Sequence, residues 1–503
     1  MKPYGRLKFG QQEWLVLTMI IILISASYFT FSADQFLFLN SDVAIHALMT
    51  RGFEFYHNLF YWGQNRLGSL LPLIGFFPWK LLGVNPLLSI SLAQYGVVAL
   101  CIMLFHALIL RPWLTLLFSI FLLFPSTAYY FILMPGHPYL PHFMLTMAAI
   151  FIIQQPKLQS RAVNFAISLT FILLALLSVW VTDMALVTIP LILFWRLLRL
   201  FASKERQWNL LIALGVLSIL SVPGLWTFGS LLRTYAVDYS GYHSQVAGLD
   251  QVINGLKTHA NMIFESVYLH ELHFWSDAYT VLLTICALMV LIRFITLTHE
   301  QRKVIVFSHS GIFILLAIAT WGATLFSGWA SSSLYPQRYF CFSFMFLVAG
   351  LVAFPATSAS KVFRTARYLL LVAVALLSAA SYKELAADKH RFRVDQEARM
   401  RLKAMRSSTI FGDYWYCYTM AAYNADQIIP IPTDGQFFRN GHQLKAALLS
   451  DSIFVCSDYE TGVFPDTVVQ YGNTLIASHE PGFVIGNTTL RRYLVQKDAS
   501  WVP

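Results

Sequence analysis

Asn40-Ser41-Asp42 stands just after the first long apolar segment and just before a run with Ile45, Leu48, Met49, Gly52, Phe53 and Tyr56 at helical spacing. A carboxylate held there, partly dehydrated, can accept a proton from a hydroxyl as that hydroxyl attacks. The same tripeptide suits a helix start, because Asp is among the best N-caps; both readings stay open. Arg338, in Pro336-Gln337-Arg338-Tyr339, opens a late apolar segment. Its guanidinium offers a planar fork to phosphate oxygens, or it snorkels to the bilayer surface as an anchor. Asp183 sits in a turn between two closely spaced apolar segments, either as a solvated turn residue or as a polar contact to a ligand. His137, in Met134-Pro135-Gly136-His137-Pro138-Tyr139-Leu140-Pro141-His142, is presented by a proline-stiffened turn. It either packs there or hydrogen-bonds a phosphate or hydroxyl. Asp42 and Arg338 supply the minimum for a displacement in which a hydroxyl replaces a phosphate: a base for the incoming group and a cation for the departing one.

The elements that position these residues belong to a membrane. Of 503 residues, 57% are hydrophobic and 12% charged, where soluble domains carry about 25% charge. Eleven apolar segments read as spans: Trp14 to Phe31, Pro86 to Leu110, Leu114 to Met134, Phe143 to Ile153, Phe165 to Thr182, Met184 to Leu200, Leu210 to Leu231, Ala278 to Leu297, Val304 to Leu325, Tyr339 to Phe354, and Tyr368 to Ala380. The net charge of +10 lies wholly in residues 1–381, where Lys and Arg number 22 against 12 acids. With the amino end inside, 16 of those bases face the cytoplasm, as the positive-inside rule requires, and the tail falls outside. That distribution argues against nucleic acid as a partner. The chain is therefore expected to be an all-α multi-pass protein of the cytoplasmic (inner) membrane over 1–381, with a small external α/β domain over 382–503.

Three long segments face outward: Ser32 to Asn85, Arg233 to Asp277, and the tail. The first is expected to hold two interfacial helices. One carries its apolar stripe down, with His46, Thr50, Glu54 and His57 on the other face, and the second, Ser69 to Leu82, contains Pro72 and Pro78. Tyr61-Trp62-Gly63-Gln64-Asn65-Arg66 and Gly68 join them.

At these residues the chain resembles the integral-membrane glycosyltransferases of the GT-C type, which take a sugar from a polyprenyl-phosphate carrier. In that family an acid just after the first span is the catalytic base, and Asp42 matches its place. The resemblance implies that Gln64 lines the sugar or acceptor site. It also implies that Arg338, with Tyr339 in the Arg-Tyr element, contacts the carrier phosphate, and that Asp183 faces the cavity of Asp42. It implies transfer to a lipid, glycan or protein acceptor on the periplasmic side, with inversion. The acidic pair that some members use for a divalent metal is absent, and the histidine pairs 137/142 and 270/273 are weak metal signals, so no metal or other cofactor is expected. The alternative is a transporter or flippase for an isoprenoid-linked glycan. A transporter places its ionisable groups nearer mid-membrane, often in matched repeats that this sequence lacks.

The loop from Arg233 to Asp277 is aromatic-rich, with Tyr235, Tyr239, Tyr242, His243, Phe264, Tyr268, Phe274 and Trp275, as expected of either a sugar site or a membrane interface. After a basic run, Lys383 to Arg406, the tail reads as strands at Ser408 to Phe411, Ile428 to Ile431, Ser452 to Cys456 and Leu475 to Ser478, with helices at Tyr414 to Tyr423 and His442 to Leu449. Gly412-Asp413-Tyr414-Trp415 resembles an element in the tails of some bacterial transferases, but no chemical role follows from it beyond core packing. Cys417 and Cys456, the tail's two cysteines, can pair if the tail is exported.

Overall fold

The computed structural model describes residues 10–35, 39–54, 58–155, 161–202, 208–237, 246–270, 273–355, 361–387, 394–433, 435–436, 438–456, 464–486 and 488–496. Each of the eleven apolar segments is built around a helix. Helices α1 (Gln11–Phe31), α2 (Ser41–Arg51), α3 (Leu70–Leu82) and α4 (Pro86–Ile109) carry the chain through the first long loop, and α4 starts where Asn85 caps the Leu88 N–H and Pro86 takes the first helical position. α5 (Pro112–Leu123) stops well short of Met134, in a loop that ends with a 3₁₀ turn at Tyr130–Leu133. There follow α6 (Tyr139–Ile153), α7 (Arg161–Val181), α8 (Ala185–Phe201), α9 (Trp208–Arg233), α10 (Leu249–Ser266), α11 (Phe274–Thr296), α12 (His299–Val306) and α13 (His309–Leu325).

Among the described residues α1, α4, α7, α9, α11 and α16 (Lys361–Ala380) are long and apolar enough to cross a bilayer; α12 and α13, bent by 73° at their junction, make a seventh if they are one span. The chain is thus a multi-pass membrane protein. α7 and α9 bare apolar side chains outward, with Phe165 70% and Ile219 74% exposed, which water would not tolerate in such density but lipid favours. Between α13 and α16 lie the short α14 (Gly328–Ser332) and α15 (Cys341–Ala353). Inside the bundle Phe105 stacks on Phe118 at 4.1 Å, tying α4 to α5.

The aromatic segment between α9 and α11 is not simply a loop, since α10 occupies much of it; its Tyr239, Tyr242 and His243 lie outside the described residues. The first interfacial helix also differs from expectation. α2 ends at Arg51, so Glu54 falls beyond it, and Tyr56 and His57 lie outside the described residues. Every side chain from Val43 to Thr50 is buried, His46 and Thr50 included. The face expected to meet water is covered by other parts of the membrane region: Thr50 lies against Gly75 of α3 and His46 against the Tyr61 ring, while a helix of the C-terminal domain also packs on α2. Small neutral groups permit this: Thr50 donates to the His46 carbonyl, leaving no charge to solvate. α3 keeps an apolar outer face, with Leu81 76% exposed.

After α17 (Tyr382–Ala387) and α18 (Gln396–Ala404) the chain forms a seven-stranded mixed sheet in the order β2-β1-β3-β7-β5-β4, with β6 on β7. β1 (Ser408–Gly412) pairs in parallel with β2 (Ile428–Pro432) and β3 (Ser452–Cys456). β4 (Thr467–Gln470), β5 (Asn473–Ala477), β6 (Phe483–Ile485) and β7 (Thr488–Gln496) are antiparallel. Helices α19 (Tyr414–Tyr423) and α20 (Gly441–Leu448) sit where the sequence places them. Cys417 and Cys456 are buried and are not bonded to each other; Cys456 Sγ packs against Gly412, where a Cβ would fall 1.8 Å from the sulfur. The domain docks through Arg51, which meets Asp426 at 2.5 Å and the Ala425 carbonyl at 2.5 Å, and through Arg399, which donates to the Asp34 and Gln35 carbonyls.

Candidate active site

A cavity of about 730 Å³ lies where the first long loop, the turns before α6 and α8, the α13–α15 connection and the C-terminal domain converge. Asp42, Gln64, His137, Asp183, Arg338 and Tyr339 all line it.

The start of α2 decides what Asp42 is available for. Asn40 Oδ1 caps the helix by accepting from the Val43 N–H at 2.9 Å, so the Asp42 carboxylate is not needed as a cap. Its Oδ1 accepts from Tyr61 Oη at 2.9 Å and lies 3.5 Å from Tyr414 Oη. Burial, reinforced by the Asp42 charge, pushes both phenols up, so each remains a protonated donor. Arg439 Nε donates to Tyr414 Oη at 3.1 Å, and the guanidinium sits 5.4 Å and 5.2 Å from the Tyr61 and Tyr414 ring centres.

Gly136 brings the turn before α6 against this helix start. A Cβ there would lie 2.7 Å from the Asp42 carbonyl carbon and Cβ, and 2.9 Å from the Val43 nitrogen. Backbone cannot yield as a side-chain tip does. Gly136→Ala is therefore expected to shift Asp42 and to lower turnover roughly tenfold, through misplacement of the carboxylate rather than loss of a contact. Steady-state kinetics beside a melting curve checks this, and unchanged kcat in a folded variant removes the packing argument.

The loop after α2 is a tight hairpin. Phe60 and Gly68 form a bridge, Tyr61 N–H donates to the Leu67 carbonyl at 2.7 Å, and Gly63 takes positive φ at the bend. Gly68 lies so close to the end of α7 that a Cβ would fall 2.2 Å from the Trp180 carbonyl oxygen. Gln64 is buried at the tip, and its Oε1 accepts from Arg66 Nε at 3.0 Å, while Arg66 lies over the Trp329 ring at 4.3 Å.

His137 stacks on Tyr139 at 5.3 Å and meets the Phe131 ring edge-on at 5.1 Å. Its Nε2 is buried with no hydrogen-bond partner among the described residues. Burial, helped by the positive charge of Arg338, brings its pKa down to about 4. His46, beneath Tyr61, is held at about 4 by burial as well. Both imidazoles are neutral at pH 7. The unfolded chain binds protons on these histidines below about pH 6.5 that the folded chain refuses until about pH 4. Stability therefore falls as pH drops through that window and levels off below it, by up to about 3 kcal/mol per histidine. A series of melting temperatures from pH 7 to 4 on wild type and on His46→Gln tests this, with a shallower slope expected in the variant.

Asp183 lines the cavity from the α7–α8 turn, but neither reading of it from sequence is complete, because Arg233 at the end of α9 pairs with it. Arg338 is different. It sits on a 3₁₀ turn, Gln337–Phe340, its guanidinium 5.1 Å from the Tyr339 ring and 5.7 Å from that of Phe131. A long bond from Nη2 to Tyr339 Oη, 3.4 Å, is accompanied by a buried Nε with no partner. Among the described residues no carboxylate forms an ion pair with it. The lining holds four arginines (66, 233, 338, 439) and two aspartates, so with the histidines neutral the cavity favours an anion.

Sequence reasoning left out Tyr414, Arg439, Arg66, Trp329 and Arg233 as site residues. The first two sit in the tail: Tyr414 lies in Gly412-Asp413-Tyr414-Trp415, from whose resemblance no chemical role follows, and nothing local distinguishes Arg439. Arg233 had a signal, as an external base ending a span. His142, five residues after His137, is buried in α6 beside Thr188 and Ser178 and does not line the cavity. Among the described residues no group of three His, Cys, Asp or Glu side chains is arranged to hold a metal.

No protein-family model matches the sequence, and no curated protein does. Among solved structures, the crystal structure of ArnT from Cupriavidus metallidurans in the apo state is similar over 95% of this chain and 97% of that one, at 10% identity and a TM-score of 0.39.

Proposed function

We propose that this chain is a membrane glycosyltransferase that moves a sugar from a polyprenyl-phosphate carrier to an acceptor hydroxyl, with inversion, on the external face of the cytoplasmic membrane. The observation that carries this reading is the presence, in one cavity, of a carboxylate not used as the cap of α2 and a guanidinium with no carboxylate partner among the described residues. A base and an anion contact within one cavity suit the exchange of a phosphate leaving group for a hydroxyl. The acceptor oxygen attacks the anomeric carbon, the bond from that carbon to the phosphate oxygen breaks, Asp42 takes the hydroxyl proton, and Arg338 neutralises the charge left on the phosphate. Tyr339 orients Arg338, while Gln64, His137 and Asp183 offer polar contacts to sugar or acceptor.

The charge asymmetry supports an amino end in the cytoplasm, and with it a C-terminal domain outside, from about residue 382 onward. The domain then roofs the cavity on the side where lipid-linked sugars are used.

Radiolabelled polyprenyl-phosphate sugar, incubated with purified protein and a membrane extract, tests the reading. A new labelled conjugate with release of polyprenyl phosphate is expected. Movement of labelled donor across vesicles without any conjugate would replace the transferase by a flippase.

A further inference from the structure

We infer that the C-terminal domain is a working part of the active centre, in which Tyr414 and Arg439 are positioning residues for Asp42. The inference rests on the transferase reading and extends it to a domain that the sequence leaves without a role.

Asp42 Oδ1 is engaged by the Tyr61 and Tyr414 hydroxyls, and no hydrogen bond reaches Oδ2 among the described residues. Fixing one oxygen of a carboxylate leaves the other as the base. Tyr414 would be a poor director on its own, because a phenol rotates its proton freely. Arg439 removes that freedom: by donating Nε–H to Tyr414 Oη at 3.1 Å it occupies a lone pair and turns the phenol's proton away, toward Asp42 and Tyr61 Oη, 3.4 Å distant. The start of α19 is locked in turn. Gln436 accepts from the Tyr414 N–H at 2.7 Å and donates to Asp413 Oδ2 at 3.0 Å.

Docking alone does not require this arrangement. Arg51 with Asp426, and Arg399 with two carbonyls, already tie the domain down at its edge. Arg439 is only 6% exposed, and a buried cation carries a desolvation cost that apolar packing would avoid. Its place between two rings that both meet Asp42 gives the buried charge an electrostatic task. The carboxylate on α2 is thus aligned only when the domain is seated.

The test uses the full-length protein in detergent with radiolabelled donor. Tyr414→Phe keeps the ring and removes the hydroxyl; kcat is expected to fall roughly tenfold, with donor KM unchanged and the protein still folded at the assay temperature. Arg439→Gln should produce a similar loss, Arg439→Lys a smaller one, and Tyr414→Phe with Arg439→Gln a loss no greater than that of the worse single variant, because one acts through the other. Single-variant kcat values within about twofold of wild type, or losses that multiply in the double variant, overturn the inference. Should Arg439→Gln not fold, the Tyr414→Phe and Arg439→Lys pair decides by the same rule. Wild type that transfers sugar beside a fully active Tyr414→Phe sinks this inference alone; wild type that transfers none removes the function and this inference with it.

Discussion

Asp42→Asn is expected to lower sugar transfer by about 10²- to 10⁴-fold while the protein keeps its melting temperature. The two halves of that expectation come from separate contacts. Helix α2 is capped by Asn40, so its first turn loses no partner when Asp42 changes. Tyr61 Oη can still donate to the amide oxygen of an asparagine placed where Oδ1 now lies, at 2.9 Å. What the amide lacks is an acceptor that can take a proton, so the loss should fall on kcat with donor KM little changed. Sequence alone leaves capping and catalysis entangled, because Asn40-Ser41-Asp42 offers three good caps in a row. The Asn40 cap and the Tyr61 bond to Asp42 separate them. Retained turnover in Asp42→Asn would take Asp42 out of the mechanism, whatever the status of the cavity.

Much of this was legible in the residues. Spans announce themselves by length and apolarity, and the tail's α19, β1, β2 and β3 follow their periodicity because each is a short element buried in one small sheet. Of the six candidate residues that line the cavity, Asp42, His137, Asp183, Arg338 and Tyr339 stand out in the sequence as polar groups near the ends of apolar segments, and Gln64 only through the resemblance of its loop. The environment of α2 was not legible. Its pattern reads as amphipathic, and only segments beyond it, α3 at Thr50 and the Tyr61 loop at His46, turn its apparent water face into core. Arg439 was hidden for the same reason: it is one base among thirteen in a charge-balanced tail, and its meaning comes from Tyr61, almost four hundred residues earlier. Strand β7 was missed because its alternation includes the charged Arg491 and Arg492 on a partly exposed sheet, and β4 and β6 because runs of four and three residues are too short to show a period.

Arg338→Lys is expected to raise donor KM by roughly 10- to 100-fold, the worth of about 1.5–3 kcal/mol for hydrogen bonds to a charged group. Lysine keeps the positive charge at the head of α15 but presents a single point where arginine presents a fork. If Arg338 only anchored the helix at the bilayer surface, that charge would suffice and KM would stay near normal. The structure weights the comparison toward phosphate, since the guanidinium lines the cavity, leans on the Tyr339 and Phe131 rings, and leaves Nε buried without a partner. A buried donor without an acceptor is costly, and an incoming phosphate oxygen removes that cost. Arg233 provides the internal control, because its ion pair with Asp183 already satisfies it. Arg233→Lys should therefore disturb donor KM far less than Arg338→Lys. Direct binding of polyprenyl phosphate without sugar sharpens the test, for it isolates the leaving group: affinity should drop in Arg338→Lys and hold in Arg233→Lys, and equal affinity in the two would assign Arg338 to anchoring.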